Sequence, residues 1–181
     1  MIWPLIRRHP RSDTISTLYG MIVAQARMPC FYRDYGVADT LNGRFDLIVL
    51  HLTLFLHRLG NEAPAHKAIG QAVFDHFCRD MDDNLREMGV GDLTVPRKMR
   101  RIGAAYYQGS QAYEAALAAG GVPPLTDAIA ATVEAAPTQG RVAAARLAAY
   151  MIEALRELRG QSCEGFERGE LRFPDPENVS E

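Results

Sequence analysis

The chain has 181 residues, a hydrophobic fraction of 48% and a formal net charge of −2. A chain of this length buries enough surface to fold as one domain without disulfide or metal staples. The small net charge excludes whole-molecule attraction to nucleic acid or to an anionic membrane, so any such affinity requires a local patch. The three cysteines are widely spaced and match no zinc or redox motif, which favours a reducing compartment.

Residues 1–11, MIWPLIRRHPR, form an N-terminal arm in which a short apolar run precedes three arginines. That order is the reverse of a secretory signal. No segment is apolar over the roughly 20 residues that a membrane span requires. We therefore expect a cytoplasmic protein whose arm is packed or frayed, with peripheral contact at a membrane surface as the alternative.

Apolar residues recur at helical spacing from Ile15 to Ala26, and Pro29 ends this first predicted helix. Three aromatic residues follow in an irregular connection that we expect to pack on the rest of the molecule, and they are candidates for partner binding: Phe31, Tyr32 and Tyr35.

Residues 42–60 form the predicted central helix of the fold. Eight of the ten residues in 47–56 are apolar, and a helix that is apolar nearly all round belongs inside a bundle. Gly60 stands where a left-handed C′ glycine is expected, and Arg58 suits the helix C-terminus. The end of this helix is a second candidate for partner binding.

Two longer helices are predicted next, and both begin with a proline in the first turn. The first starts at Pro64 and has an apolar stripe at Ile69, Val73, Phe74, Phe77, Met81, Leu85 and Met88. Thr94 can cap the second, which runs to Leu117. Gly103 and Gly109 lie within it, and each costs about 1 kcal/mol relative to alanine. We expect a neighbouring helix to approach closely at both glycines.

The remaining chain contains a glycine and proline break near residues 120–124, a short helix predicted at 126–136 and a longer one at 138–159. The last residues are acidic and proline-containing, which predicts disorder over 173–181. The fold class is therefore all-α: a single-domain bundle of about six or seven helices over residues 12–172, packed around a buried central helix.

A basic cluster occupies the first turns of the helix that follows Thr94: Arg97, Lys98, Arg100 and Arg101. Cations at this end oppose the helix dipole, so something should offset them. The explanation that we favour is pairing with the acidic second half of the preceding helix, Asp80, Asp82, Asp83 and Glu87, and with Asp92 in the turn. The other explanation is an anionic partner, such as RNA, an acidic peptide or lipid head groups. Tyr107 lies off the core stripe and can also face a partner.

Catalytic and metal-binding motifs have little support in the sequence. No nucleophile elbow, phosphate loop or repeated Glu-x-x-His pattern is present, so we expect no catalytic residue, cofactor or metal. His51 is predicted to be a core histidine that bonds a backbone carbonyl or a carboxylate. The alternative is a ligand- or metal-binding protein, or an enzyme, with a bundle pocket near His51 or near His76 and Asp80.

Three blocks of the sequence resemble the ubiquinol–cytochrome c chaperone family: RFDLIVLHLTLFLHRL, AVFDHFCRDMDDNLREMGVGDLTVPRKMRR and AYYQGSQAYEAAL. The preceding AQARMPCFYRDYGV resembles the corresponding segment of bacterial members. The resemblance runs from about Ile15 to Leu117 and is weaker beyond.

This resemblance implies a non-enzymatic, all-α assembly factor for the cytochrome bc1 complex. Mitochondrial relatives hold newly made cytochrome b and, with a small partner protein, associate with the ribosome. It therefore implies cytochrome b as client, a small helper protein and ribosome contact as expected partners, and no DNA. The family supplies no catalytic residues to transfer.

Overall fold

The computed structural model describes residues 12–136 and 139–179, so the predicted arm at 1–11 lies outside the described residues. Within these ranges the secondary structure is helical, and the one β-bridge joins Val37 to Ala135. The all-α prediction is confirmed. The α-helices are α1 (Ser12–Ala26), α2 (Cys30–Arg33), α3 (Leu41–Leu59), α4 (Pro64–Glu87), α5 (Val95–Ala119), α6 (Val122–Thr132), α7 (Gly140–Arg159) and α8 (Cys163–Glu167).

The central helix α3 is capped by Thr40, whose hydroxyl accepts a hydrogen bond from the Gly43 amide at 3.0 Å. Every residue from Leu47 to Phe55 is buried, including His51 and Thr53, as the apolar pattern predicts. The prediction of a left-handed C′ glycine was wrong, because Gly60 has a φ of −58° and stays in the right-handed region.

Four helices surround α3: α1, α4, α5 and α7 all pack directly against it. The helix α6 lies across α5 and α7, and α8 lies against α1 and α4. The apolar stripe of α4 faces this core at Ile69, Val73 and Phe77. Its last predicted member, Met88, is 58% exposed because it lies one residue beyond the end of α4.

The two glycines of α5 differ in their surroundings. A Cβ at Gly109 would lie 3.4 Å from a methyl group of Val49 on α3, so the predicted close approach is real there. A Cβ at Gly103 would meet nothing within 4 Å, so the prediction for this position was wrong. At the predicted break, Gly120 and Gly121 have positive φ, and α6 begins at Val122, inside the predicted range 120–124 and four residues earlier than the predicted helix.

The prediction of disorder from residue 173 was wrong over 173–179. Pro176 is buried, and its carbonyl oxygen accepts a hydrogen bond from the Tyr35 hydroxyl at 2.7 Å. The Phe173 ring lies 5.2 Å from the His51 ring. The Pro174 carbonyl accepts from Gln25 Nε2 at 3.0 Å. These contacts hold the segment to the bundle despite its polar composition.

Candidate functional site

The basic cluster lies at the start of α5, and all four of its side chains are exposed. Three of the five acidic residues expected to pair with it, Asp80, Asp82 and Asp92, have other partners. Arg86 binds both Asp82 and Asp92, and Asp80 accepts a hydrogen bond from the Tyr19 hydroxyl at 2.7 Å. Among residues 12–136 and 139–179, none forms an ion pair with the cluster. The structure therefore does not support the intramolecular pairing that we favoured from sequence.

Exposed apolar side chains lie close to the basic cluster in the chain. Leu93, in the turn between α4 and α5, is 99% exposed, and Met88 precedes it. We call the set made of Met88, Leu93 and the four cations the basic tip. Tyr107, two turns further along α5, is 62% exposed, as its position off the core stripe predicts. Cations beside exposed apolar groups are typical of surfaces that bind other molecules.

The aromatic segment around α2 is largely part of the core. Phe31 is fully buried with its ring 5.0 Å from the Tyr150 ring, and Tyr35 is 7% exposed. Tyr32 is half-buried, and its hydroxyl donates to the Ala26 carbonyl oxygen at 3.0 Å. Phe31 and Tyr35 are therefore not available to a partner in this structure, and Tyr32 is the one of the three that offers surface.

His51 is a core histidine, as predicted. Its Nδ1 donates to the Leu47 carbonyl oxygen at 2.7 Å, and its Nε2 accepts from the Tyr150 hydroxyl at 2.9 Å. Gln25 donates in turn to the Tyr150 oxygen at 3.0 Å. Burial lowers the pKa of His51 to about 4, so the ring is neutral at physiological pH. With both nitrogens bonded, His51 offers no lone pair to a ligand.

The second histidine of the alternative hypothesis also has a structural role. The His76 ring lies 5.0 Å from the ring of Tyr19, and the same tyrosine donates its hydroxyl to Asp80. Among the described residues, His76 and Asp80 belong to no group of three metal-ligating side chains. The pair therefore lacks the ligands of a metal site.

An apolar groove opens at the C-terminal end of α3, where α4 and α5 flank it. Its volume is about 330 Å³, and we call it the terminal groove. Leu56, Phe74 and Tyr106 are half-buried along it, while Lys67 and Gln71 line its rim. A Cβ at Gly70 would lie 3.1 Å from a Leu56 methyl, so this glycine lets α4 approach α3 closely beneath the groove.

The fold and these surfaces define an all-helical binding protein, with an apolar groove at one helix end and, on the adjoining helix, a set of cations that form no ion pair with any described residue. The family model described as "Ubiquinol-cytochrome C chaperone" matches residues 33–173, and the chain belongs to that family. It is accordingly a chaperone for assembly of the cytochrome bc1 complex. The match reaches further towards the C-terminus than the sequence blocks that first indicated it.

The chain is also similar to a solved structure described as the Cbp3 homolog from Brucella abortus. The two share 34% sequence identity with a TM-score of 0.81, and the alignment covers 99% of this chain and 100% of that one. No curated protein matches the chain. In the described part of the molecule, no helix has the length and apolar character needed to cross a membrane.

Proposed function

We propose that the terminal groove holds an apolar segment of newly made cytochrome b before that protein is assembled. The observation that carries this proposal is the half-buried apolar lining of the groove, Leu56, Phe74 and Tyr106, which is open to the outside at the end of the central helix α3. A helix of a membrane protein presents apolar side chains at intervals of three and four residues, and such side chains dock into grooves of this kind.

We propose that the groove binds and does not catalyse. Its lining contains two titratable groups, Lys67 and Tyr106, and no histidine, cysteine or carboxylate. Burial raises the pKa of Tyr106 to about 12, so its phenol stays protonated at neutral pH. A nucleophile paired with a base is the usual sign of covalent catalysis, and this lining has none.

We propose that the basic tip, together with Tyr107, binds a second, anionic surface, on the helper protein or on the ribosome. Because the four cations are exposed and unpaired within the described residues, a partner can neutralise them without first breaking an internal ion pair. Tyr32, which is half-buried on α2, is a further candidate contact for a partner. The protein would then work in the cytoplasm, with at most peripheral contact at the inner membrane.

A site-specific photo-crosslinker tests the client site. Placed at Gln71 on the rim of the groove, it should capture cytochrome b in cells that are making the bc1 complex. Val142 provides a matched control, because it is an exposed apolar residue on α7, a helix that does not flank the groove. Equal capture from both positions, or capture from Val142 alone, would contradict the proposed groove.

Removal of charge tests the basic tip. A variant with glutamine at all four cations should lose salt-sensitive binding to the helper protein or to ribosomes in co-sedimentation, because screened Coulomb attraction carries that contact. A control variant has glutamine at four exposed arginines elsewhere, Arg156, Arg159, Arg168 and Arg172. Loss of binding in the control alone, or in neither variant, would contradict the proposal.

Deletion of the gene tests the family role in this organism. Assembled bc1 complex should fall while the transcripts of its subunits stay constant, because the defect lies after translation. The groove variant Gln71→Glu should reproduce part of that loss, since a rim carboxylate disfavours an apolar occupant. An unchanged amount of assembled bc1 complex in the deletion strain would contradict the proposed role.

A further inference from the structure

Three side chains with metal-ligating atoms converge where α4 begins. A carboxylate oxygen of Glu62, a ring nitrogen of His66 and the thiol sulfur of Cys163 all lie within 4.8 Å of one another. Glu62 and His66 are four residues apart, whereas Cys163 is the first residue of α8, which packs against α4. Since Cys163 is far from the other two in sequence, no spacing motif could have predicted the group.

The imidazole of His66 is placed to act as a metal ligand. Its Nδ1 is buried and has no hydrogen-bond partner, although a buried polar atom without a partner is unfavourable. Its Nε2 lies 3.5 Å from a carboxylate oxygen of Glu167. A metal-bound histidine almost always donates its second ring N–H to such a carboxylate, which leaves the lone pair of the other nitrogen for the metal.

We propose that Glu62, His66 and Cys163 form a binding site for a thiophilic divalent cation of the Zn²⁺ class. One sulfur, one imidazole nitrogen and one carboxylate oxygen are all established zinc ligands, and water would complete a tetrahedral site. Calcium and magnesium are disfavoured because both prefer ligand sets made of oxygen. The site does not depend on the proposed client role.

Arg58 limits the affinity of this site. Its guanidinium binds one oxygen of Glu62 and lies 3.8 Å from the Cys163 sulfur. It also donates to the carbonyl oxygens of Leu158 and Gln161, at 3.0 Å each, and is therefore held in place. The Glu62 carboxylate also forms a hydrogen bond with the Cys163 thiol, a contact that a metal ion would replace, and the nearby positive charge opposes a cation. We expect weaker binding than at a closed site with four protein ligands.

Metal binding at this site must release a proton. A cysteine thiol carries its proton at neutral pH, whereas the form that binds a metal ion is the thiolate. In the binding step the S–H bond breaks, the sulfur–metal bond forms and the proton leaves to solvent, with no change of oxidation state. Affinity should therefore increase as pH rises. A bound ion would tie the beginning of α4 to α8, beside Lys67 at the rim of the terminal groove.

A cobalt titration of the full-length, tag-free protein tests the site. Co²⁺ added to metal-stripped protein should give the absorption of a sulfur-to-cobalt charge transfer, and added Zn²⁺ should remove it. Cys163→Ser should abolish this band, while Cys78→Ser should retain it, because Cys78 lies outside the cluster. Glu167→Gln should weaken binding about 10–100-fold, because it removes the carboxylate charge beside the His66 ring that favours a metal-bound imidazole.

The assignment would be overturned by the absence of a charge-transfer band in the wild-type protein, or by an unchanged band in Cys163→Ser. Circular dichroism establishes that each variant is folded. The Glu167 side chain is half exposed, so Glu167→Gln is expected to fold normally and serves as the test should Cys163→Ser not fold. Wild-type affinity in Glu167→Gln would also count against the site.

Discussion

Replacing His51 with glutamine should make the protein less sensitive to acid. In the folded chain, burial lowers the pKa of His51 to about 4, whereas its ordinary value is 6.5. The unfolded state therefore binds the extra proton between these two pH values, and the folded state does not. The contribution of the neutral, buried His51 to the free energy of unfolding is complete above pH 6.5 and is lost as pH falls towards 4. Between about pH 7 and about pH 4.5 the loss is about 2.5 kcal/mol.

Asp46 works in the opposite direction, because burial raises its pKa from 3.8 to about 6. The folded state binds this proton first, so the contribution of Asp46 is present below pH 3.8 and is lost as pH rises through 6. Since the Asp46 side chain is partly solvated, acidification over the same pH range should raise the free energy of unfolding by only about 1 kcal/mol through this group. The pH-dependent contributions of His51 and Asp46 therefore partly cancel in the wild-type protein, and single variants are needed to separate them.

Urea unfolding followed by far-UV circular dichroism at both pH values measures these contributions. The wild type should lose about 2.5 kcal/mol more than His51→Gln on acidification, at an unchanged m-value. Asp46→Asn should lose about 1 kcal/mol more than the wild type. Any loss of stability caused by the glutamine itself is present at both pH values, so it cancels when the changes in unfolding free energy on acidification are compared. Equal losses in the wild type and His51→Gln would refute the reasoning.

Gly103→Ala should raise the free energy of unfolding by about 1 kcal/mol, since its Cβ would meet open space, whereas Gly109→Ala should gain less because its Cβ would press on Val49. Thermal unfolding should show the first as a rise in Tm of about 2–4 °C. Tyr150→Phe should cost about 1–3 kcal/mol in urea titrations, because it leaves His51 Nε2 buried without its donor. Gly43→Ala would place a Cβ 2.1 Å from the Ala38 carbonyl oxygen, and its yield of folded protein should fall sharply.

Helical periodicity was enough to locate the long helices, because the burial of their stripes is a local property of the sequence. The apolar run at 47–56 predicted the central helix for the same reason, and the structure buries all of it except Leu56. The predicted role of His51 also followed from its position in that run. Its particular partner did not, because Tyr150 reaches it from α7, a helix that is distant in the chain.

The predictions that were wrong depended on contacts between distant segments. The composition of the last residues indicated disorder, yet Tyr35 and Gln25 bind their carbonyl groups. The acidic residues near the end of α4 were expected to form ion pairs with the basic cluster, yet Arg86 of α4 already binds Asp82 and Asp92. In both cases the composition of the segment was described correctly. Its contacts, however, are determined by the packing of the whole bundle, which composition does not reveal.

The basic tip and the terminal groove differ in how safely mutation can test them. The four cations, for which the described part of the chain offers no ion-pair partner, oppose the dipole of α5, so neutralising them should not lower stability. Leu93 is almost fully exposed and contributes little to the core. A binding defect at the tip can therefore be attributed to a lost contact. Phe74 packs against the core beneath the groove, so replacing it would confound binding with folding. The rim residues Lys67 and Gln71 avoid that difficulty, which makes them the informative positions for client binding.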